Sequence, residues 1–137
     1  MIRQSLGRRG TTSVEFALVG LFVLGLMFGV VEAGQVMSIK HALDRSVTVA
    51  ARWASVRGSA SGQVASSAAV KAVAVSELQT LIGSGLGTPA VTAAFSPDNA
   101  PGSLVTVDAS LSWTPIVAMA LIPAMTLHAT ASMTIQN

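Results

Sequence analysis

Glu15 stands directly ahead of an uncharged apolar run, Phe16 to Val31 (FALVGLFVLGLMFGVV), and a carboxylate in that setting needs a cation. Insertion scales put a charged side chain at mid-bilayer at about 2.5–3.5 kcal/mol, less near an end, so such residues usually have a partner. The helix itself offers no base. Two sources remain. Arg8 and Arg9 favour the cytoplasmic headgroups, whereas a cut after Gly10 would expose a new α-amine on Thr11, a group that titrates at roughly pH 8. Such a cut makes Glu15 the fifth residue, and the pair could then form between neighbouring subunits.

Little else in the chain suggests chemistry. His41 falls on a helix and His128 on the polar face of a strand, and neither has a second ligand at helical or strand spacing. Glu77, Asp98 and Asp108 are scattered through a helix, a turn and a strand and read as solvated groups. The serines lack an elbow motif or an adjacent base. The glycines of residues 83–89 (GSGLGTP) lack the lysine and spacing of a phosphate-binding loop. With no cysteine, a disulfide framework, a thiolate zinc site and a cysteine nucleophile are excluded together. No catalytic, cofactor or metal site is read, and an interaction protein is expected in place of an enzyme.

Composition points the same way. Of 137 residues 51% are hydrophobic and only 10% charged, with mean hydropathy +0.64; soluble domains carry roughly 25% charged residues. That deficit excludes an ordinary soluble enzyme domain. The formal charge of +2 and pI near 10.0 reflect few titrating groups. Basic residues gather only in the leader MIRQSLGRRG (Arg3, Arg8, Arg9), so no nucleic-acid footprint is present. Residues 16–31 would span about 24 Å as a helix, and extension back to Thr11 adds about 7 Å, which completes the crossing of a hydrocarbon core of roughly 30 Å. Positive charge ahead of the span places the N-terminus in the cytoplasm and the rest outside. Gly25 and Gly29 form a G-x-x-x-G, which permits close helix approach in a bundle, although glycine is also common in membrane helices generally.

The string Arg8-Arg9-Gly10-Thr11-Thr12-Ser13-Val14-Glu15-Phe16, running into the apolar stretch, resembles a type IV prepilin processing site, with glycine before the cut and glutamate five residues after. Glutamate followed by an aromatic is the form of the tight-adherence (Tad/Flp) branch. Glu32-Ala33-Gly34 and Ala50-Ala51-Arg52-Trp53-Ala54 are similar to the TadE-like minor pseudopilins. The resemblance covers roughly the first 55 residues. It implies a leader over 1–10, a transmembrane helix over 11–34 and an extracytoplasmic domain over 35–137. It also implies cleavage between Gly10 and Thr11 by a prepilin peptidase and assembly pairing through Glu15 and Phe16. Gly25 and Gly29 would pack helices, and the partners would be other pilins and pseudopilins, the inner-membrane assembly platform and the bilayer, in a Flp-type pilus serving adhesion or secretion.

Beyond the span, Val36, Ile39, Leu43, Val47, Ala50 and Ala54 continue a helical stripe through residues 35–57. After Gly58–Gly62 a second helix is expected over 63–82, with Val64, Ala68, Val75, Leu78 and Ile82 on one face and Gly83 as its stop. Residues 90–95, 104–113 and 126–136 read as three antiparallel strands, the latter two by strict alternation. Fold class is therefore α+β and pilin-like. Pro115 to Met125 (PIVAMALIPAM) is apolar yet too short to cross a membrane; it reads as a connection that touches a neighbour or the outer leaflet, or that tucks over the core. Two other readings of the N-terminus stay open: a secretory signal cut after Ala33, giving a small envelope binding domain, and an uncleaved anchor with Glu15 snorkelling to the interface.

Overall fold

No proline precedes Pro89, so nothing removes a backbone donor from the N-terminal half of the chain. A single 50-residue helix, α1 (Leu6–Ser55), results. The structure is a computed structural model describing residues 6–85, 87–115 and 124–136. After α1 come α2 (Ser67–Ile82) and the strands β1 (Ala90–Ser96), β2 (Leu104–Trp113) and β3 (Met125–Thr134). The strands form one antiparallel sheet in the order β1-β2-β3, which makes the chain α+β. Most of the connection at residues 115–125 lies outside the described residues.

The backbone around Arg8 and Arg9 is already helical, α1 starting at Leu6. Once a long helix is nucleated, each added residue gains a bond for one residue fixed, so helix propagates backwards through the arginines. Along α1 the exposure pattern changes in one step. Residues 11–31 include no buried side chain. From Glu32 onward buried positions recur at three- and four-residue intervals, through Ile39, Leu43, Val47, Ala50 and Ala54, as the helical stripe requires.

α2 begins where Ser66 caps it, the Ser66 Oγ accepting the Ala69 amide at 3.2 Å. It ends at Gly83, whose φ of +74° is a conformation that favours glycine. Its buried face is Val70, Ala74 and Leu78. Of the face expected from sequence only Leu78 is fully buried, while Val64 and Ala68 are exposed. Alanine and valine surround this helix on nearly every side, so the apolar pattern alone does not single out one stripe.

β2 is the centre of the sheet and alternates cleanly. Val105, Val107, Ala109, Leu111 and Trp113 are buried against the helices, while Asp108 and Ser112 face outward. α1 lies along β3: the Lys40 ammonium donates to the His128 carbonyl at 2.5 Å, and at the far end the Gln136 amide donates to the Ser55 carbonyl at 2.8 Å. α2 lies over β1. Leu43, Val47, Val70, Leu78, Val105, Val107 and Ile135 are the largest apolar side chains closed off in between.

The β1–β2 turn is held by one acid. Asp98 Oδ1 accepts the Ser103 hydroxyl at 2.6 Å and the Ala100 amide at 2.9 Å. The Ser103 bond first, and then the Ala100 bond, hold the carboxyl below its usual range of about 3.8. A depressed folded-state pKa means that this contribution is present above the unfolded value and disappears as pH falls through the folded one. Protection of the Ala100 amide against hydrogen exchange is therefore expected to drop on acidification below about pH 3.8, and Asp98→Ala should show the lowered protection already at neutral pH. In the core, Leu43→Ala should cost about 2–5 kcal/mol in denaturant unfolding followed by Trp113 fluorescence. Leu24→Ala, on the uncovered part of α1, should leave that midpoint in place.

Candidate functional site

Residues 11–31 form a helical surface of about 31 Å, the thickness of a hydrocarbon core. Phe16 is 79% exposed, and Leu21, Phe22 and Val30 are comparably bare. Among the described residues, one helix is long and apolar enough to cross a membrane, and its most apolar stretch is covered by no other part of the chain. Water does not tolerate this much contiguous apolar area on a monomer. By length and composition the segment is suited to anchoring in a membrane.

Thr11 and Glu15 are four residues apart on that helix, on one face and about 6 Å apart along the axis. Glu15 is exposed. Among the described residues the ion pairs are Lys40–Asp44 at 2.6 Å and Arg45–Glu77 at 3.2 Å, and neither reaches Glu15. Gly10 lies inside α1, ahead of Thr11. At Gly25 and Gly29 an added Cβ would meet nothing within 4 Å. Neither glycine is therefore needed for contacts inside this chain. The notch they form is open to another helix.

The groups considered for acid–base or metal chemistry hold structural positions. Glu77 pairs with Arg45, Asp98 ties its turn, and Asp108 Oδ1 accepts the Thr130 hydroxyl at 2.6 Å. His41 is exposed on α1 and His128 on β3. The register sets Ser110 opposite His128 and Asp108 opposite Thr130, so Asp108, Ser110 and His128 share the outer face of the sheet. Sequence reading missed this neighbourhood, since shared parity is visible but register is not. Asp108 and His128 are both solvent-exposed, which deprives them of the buried, low-dielectric setting that tunes catalytic groups. Among the described residues no group of three or more His, Asp or Glu is placed to hold a metal.

Glu32 is the residue whose position the sequence did not disclose. It is only 6% exposed and sits where the bare part of α1 gives way to the packed part. Beside it a cavity of about 330 Å³ lies between α1 and the end of the sheet, lined by Gly29, Glu32, Ala33, Met37, Trp113 and Met125. The available signal was an acid closing an uncharged run.

Residues 10–52 match the family model described as TadE-like protein. Among curated proteins and solved structures nothing matches the chain. The matched segment starts at Gly10 and covers both the uncovered stretch of α1 and most of the stretch that packs on the sheet. α2 and the three strands lie beyond it. Over Gly10 to Arg52 the chain is thus TadE-like, as the Arg8-to-Phe16 string and the Glu32-Ala33-Gly34 segment indicate, and the family it matches there is one of Tad pilus-associated structural proteins, not of enzymes.

Proposed function

We propose that the protein is a minor pseudopilin of a Flp-type type IV pilus, working in adhesion or secretion. The observation that carries this reading is the bare 11–31 segment of α1 with Glu15 near its start, in a match that begins at Gly10. Residues 1–10 act as leader, 11–34 as the transmembrane helix and 35–137 as the extracytoplasmic domain. The N-terminus lies on the cytoplasmic side of the inner membrane, as the arginines of the leader favour.

A prepilin peptidase cuts between Gly10 and Thr11. Glycine weakens a helix by about 1 kcal/mol relative to alanine, so Gly10 makes the helix easier to open there for the protease. The new Thr11 amine then has a carboxylate to meet on another subunit. In a low-dielectric medium an unpaired charge is costly and a paired one far less so. Glu15 thereby makes docking of the next subunit the way to remove its own penalty, and Phe16 beside it supplies apolar contact. Gly25 and Gly29 let the neighbouring helix approach closely. Assembly takes place on the inner-membrane platform, with pilins and pseudopilins of the same system as partners.

N-terminal sequencing of protein recovered from membranes tests the processing step, and a chain starting at Thr11 is expected. A start at Gly34 would instead identify a secreted envelope domain. Glu15→Ala should insert at the wild-type level yet abolish piliation, read by electron microscopy of cells complemented with the variant. Full piliation by that variant, or by chain still carrying Met1, would overturn the pairing mechanism.

A further inference from the structure

On the side away from the helices, the sheet carries a shallow depression of about 150 Å³. Ala90 and Ser110 leave the space, being small, and Thr92, Asp108, His128 and Thr130 rim it. Register decides which of these groups can meet. Thr92 and Thr130 flank Asp108 on its two sides, and two residues along β2 Ser110 stands opposite His128. The Ile135 amide donates to the Ser103 carbonyl, so odd-numbered positions carry the β2–β3 ladder and even-numbered ones are the close, non-hydrogen-bonded pairs, with Cα atoms roughly 4.5 Å apart. Side chains of such pairs touch, as Thr106 and Ser132 do at 2.9 Å. Asp108 and His128 are diagonal neighbours in this set, with Cα atoms roughly 7–8 Å apart, which lets longer side chains converge on a point between them.

We propose that Asp108 and His128 coordinate one divalent ion of the zinc class on the outer face of the sheet, with water in its remaining positions. The donor set selects the metal: an imidazole nitrogen beside a single carboxylate suits zinc and its transition-metal neighbours, whereas calcium takes a shell of oxygens. Both ligands are available. Among the described residues the hydrogen bond on these two side chains is the one that Asp108 Oδ1 accepts from the Thr130 hydroxyl at 2.6 Å, which leaves Oδ2 and the imidazole nitrogens open. Thr130 thereby orients the carboxylate, as hydrogen bonds to metal-bound carboxylates do. Nor does an ion pair among the described residues join Asp108 to His128 and close the space between them. Lys40 reaches the His128 carbonyl from the helix side of the sheet, and its charge is balanced by Asp44. With two protein ligands the site is open and exchangeable, unlike the four-coordinate sites that hold structural zinc. The strand of His128 offers it no second ligand; the neighbouring strand does. His41 is the natural contrast, since the acid one turn further along α1, Asp44, is held by Lys40 at 2.6 Å. The proposal rests on the sheet register alone and on neither the membrane nor the pilus reading.

The test uses the full chain in maltoside micelles, isotope-labelled at its two histidine rings, so that NMR reads His41 and His128 separately while zinc is titrated in at neutral pH. Removing one group that orients a metal ligand typically costs about 10–100-fold in affinity, so the His128 signals are expected to move at zinc concentrations at least about tenfold below those that move His41. Asp108→Asn should bring His128 to the His41 level. That variant keeps an acceptor for the Thr130 hydroxyl, and unchanged Trp113 fluorescence checks that the domain stays folded. Thr130→Val should weaken the His128 response by about tenfold through the carboxylate it no longer orients. Magnesium at the same concentrations should move neither ring. Parallel titration of the two histidines in the wild type, or an unchanged His128 response in Asp108→Asn, would overturn the proposal. So would a midpoint that falls as protein concentration rises, since the ion would then be shared between two copies.

Discussion

A single uninterrupted helix carries both a bare apolar segment and a packed one, and the rest of the molecule is arranged around that constraint. From Thr11 to Val31 the side chains of α1 are exposed on every face, which suits lipid or the company of other helices, whereas from Glu32 onward one stripe is buried by protein. Lipid removes the requirement for amphipathicity, since no face needs to differ from another when the medium is apolar all round. Protein packing restores it. The change of regime falls within one turn, and no break in the backbone marks it. A domain built on the same helix as the apolar segment has its orientation fixed by helix geometry, with no linker to relax it.

Rigidity of that coupling depends on contacts at both ends of the shared segment. Near the start of the packed segment, Lys40 bridges Asp44 and the His128 carbonyl. At the far side, Gln136 and Ser55 close the C-terminus onto the end of α1, and Ile135 bonds to Ser103. β3 is an edge strand with no proline and no Lys or Glu of its own, the kind of edge that invites unwanted pairing. Lys40 places a charged group against it from the helix instead. One side chain thus ties the sheet to α1 and guards the edge.

What the sequence made legible follows from how far apart the determinants lie. The β2 boundaries and the inward set Val105 to Trp113 were readable because alternation is a local property. The α1 stripe was readable for the same reason. The buried face of α2 was not, since a helix of alanine and valine carries apolar groups on every side and only the position of β1 decides which are covered. Arg45–Glu77, 32 residues apart, and the shared face of Asp108 and His128 depend on packing and register, which no local pattern encodes. Of the candidate site, Gly10, Glu15 and the glycine pair were visible as types and spacings. Glu32 was visible as an acid, but its burial needed the sheet end to be placed against α1.

Two acids bracket the apolar run, and they meet its demands by opposite means. Glu32 is folded into the boundary between anchor and domain, so its environment is built largely by this chain and is present in every copy. Glu15 lies on the bare face, with no described ion pair, and the notch at Gly25 and Gly29 is likewise unfilled. A carboxylate and a helix notch left open on the same segment are incomplete in a single copy. In the proposed assembly both are completed by a second helix, the carboxylate by its cation and the notch by its backbone. The domain beyond Glu32 has a core of its own, whereas the segment before it is bare, which is the division of labour that the proposed assembling subunit needs.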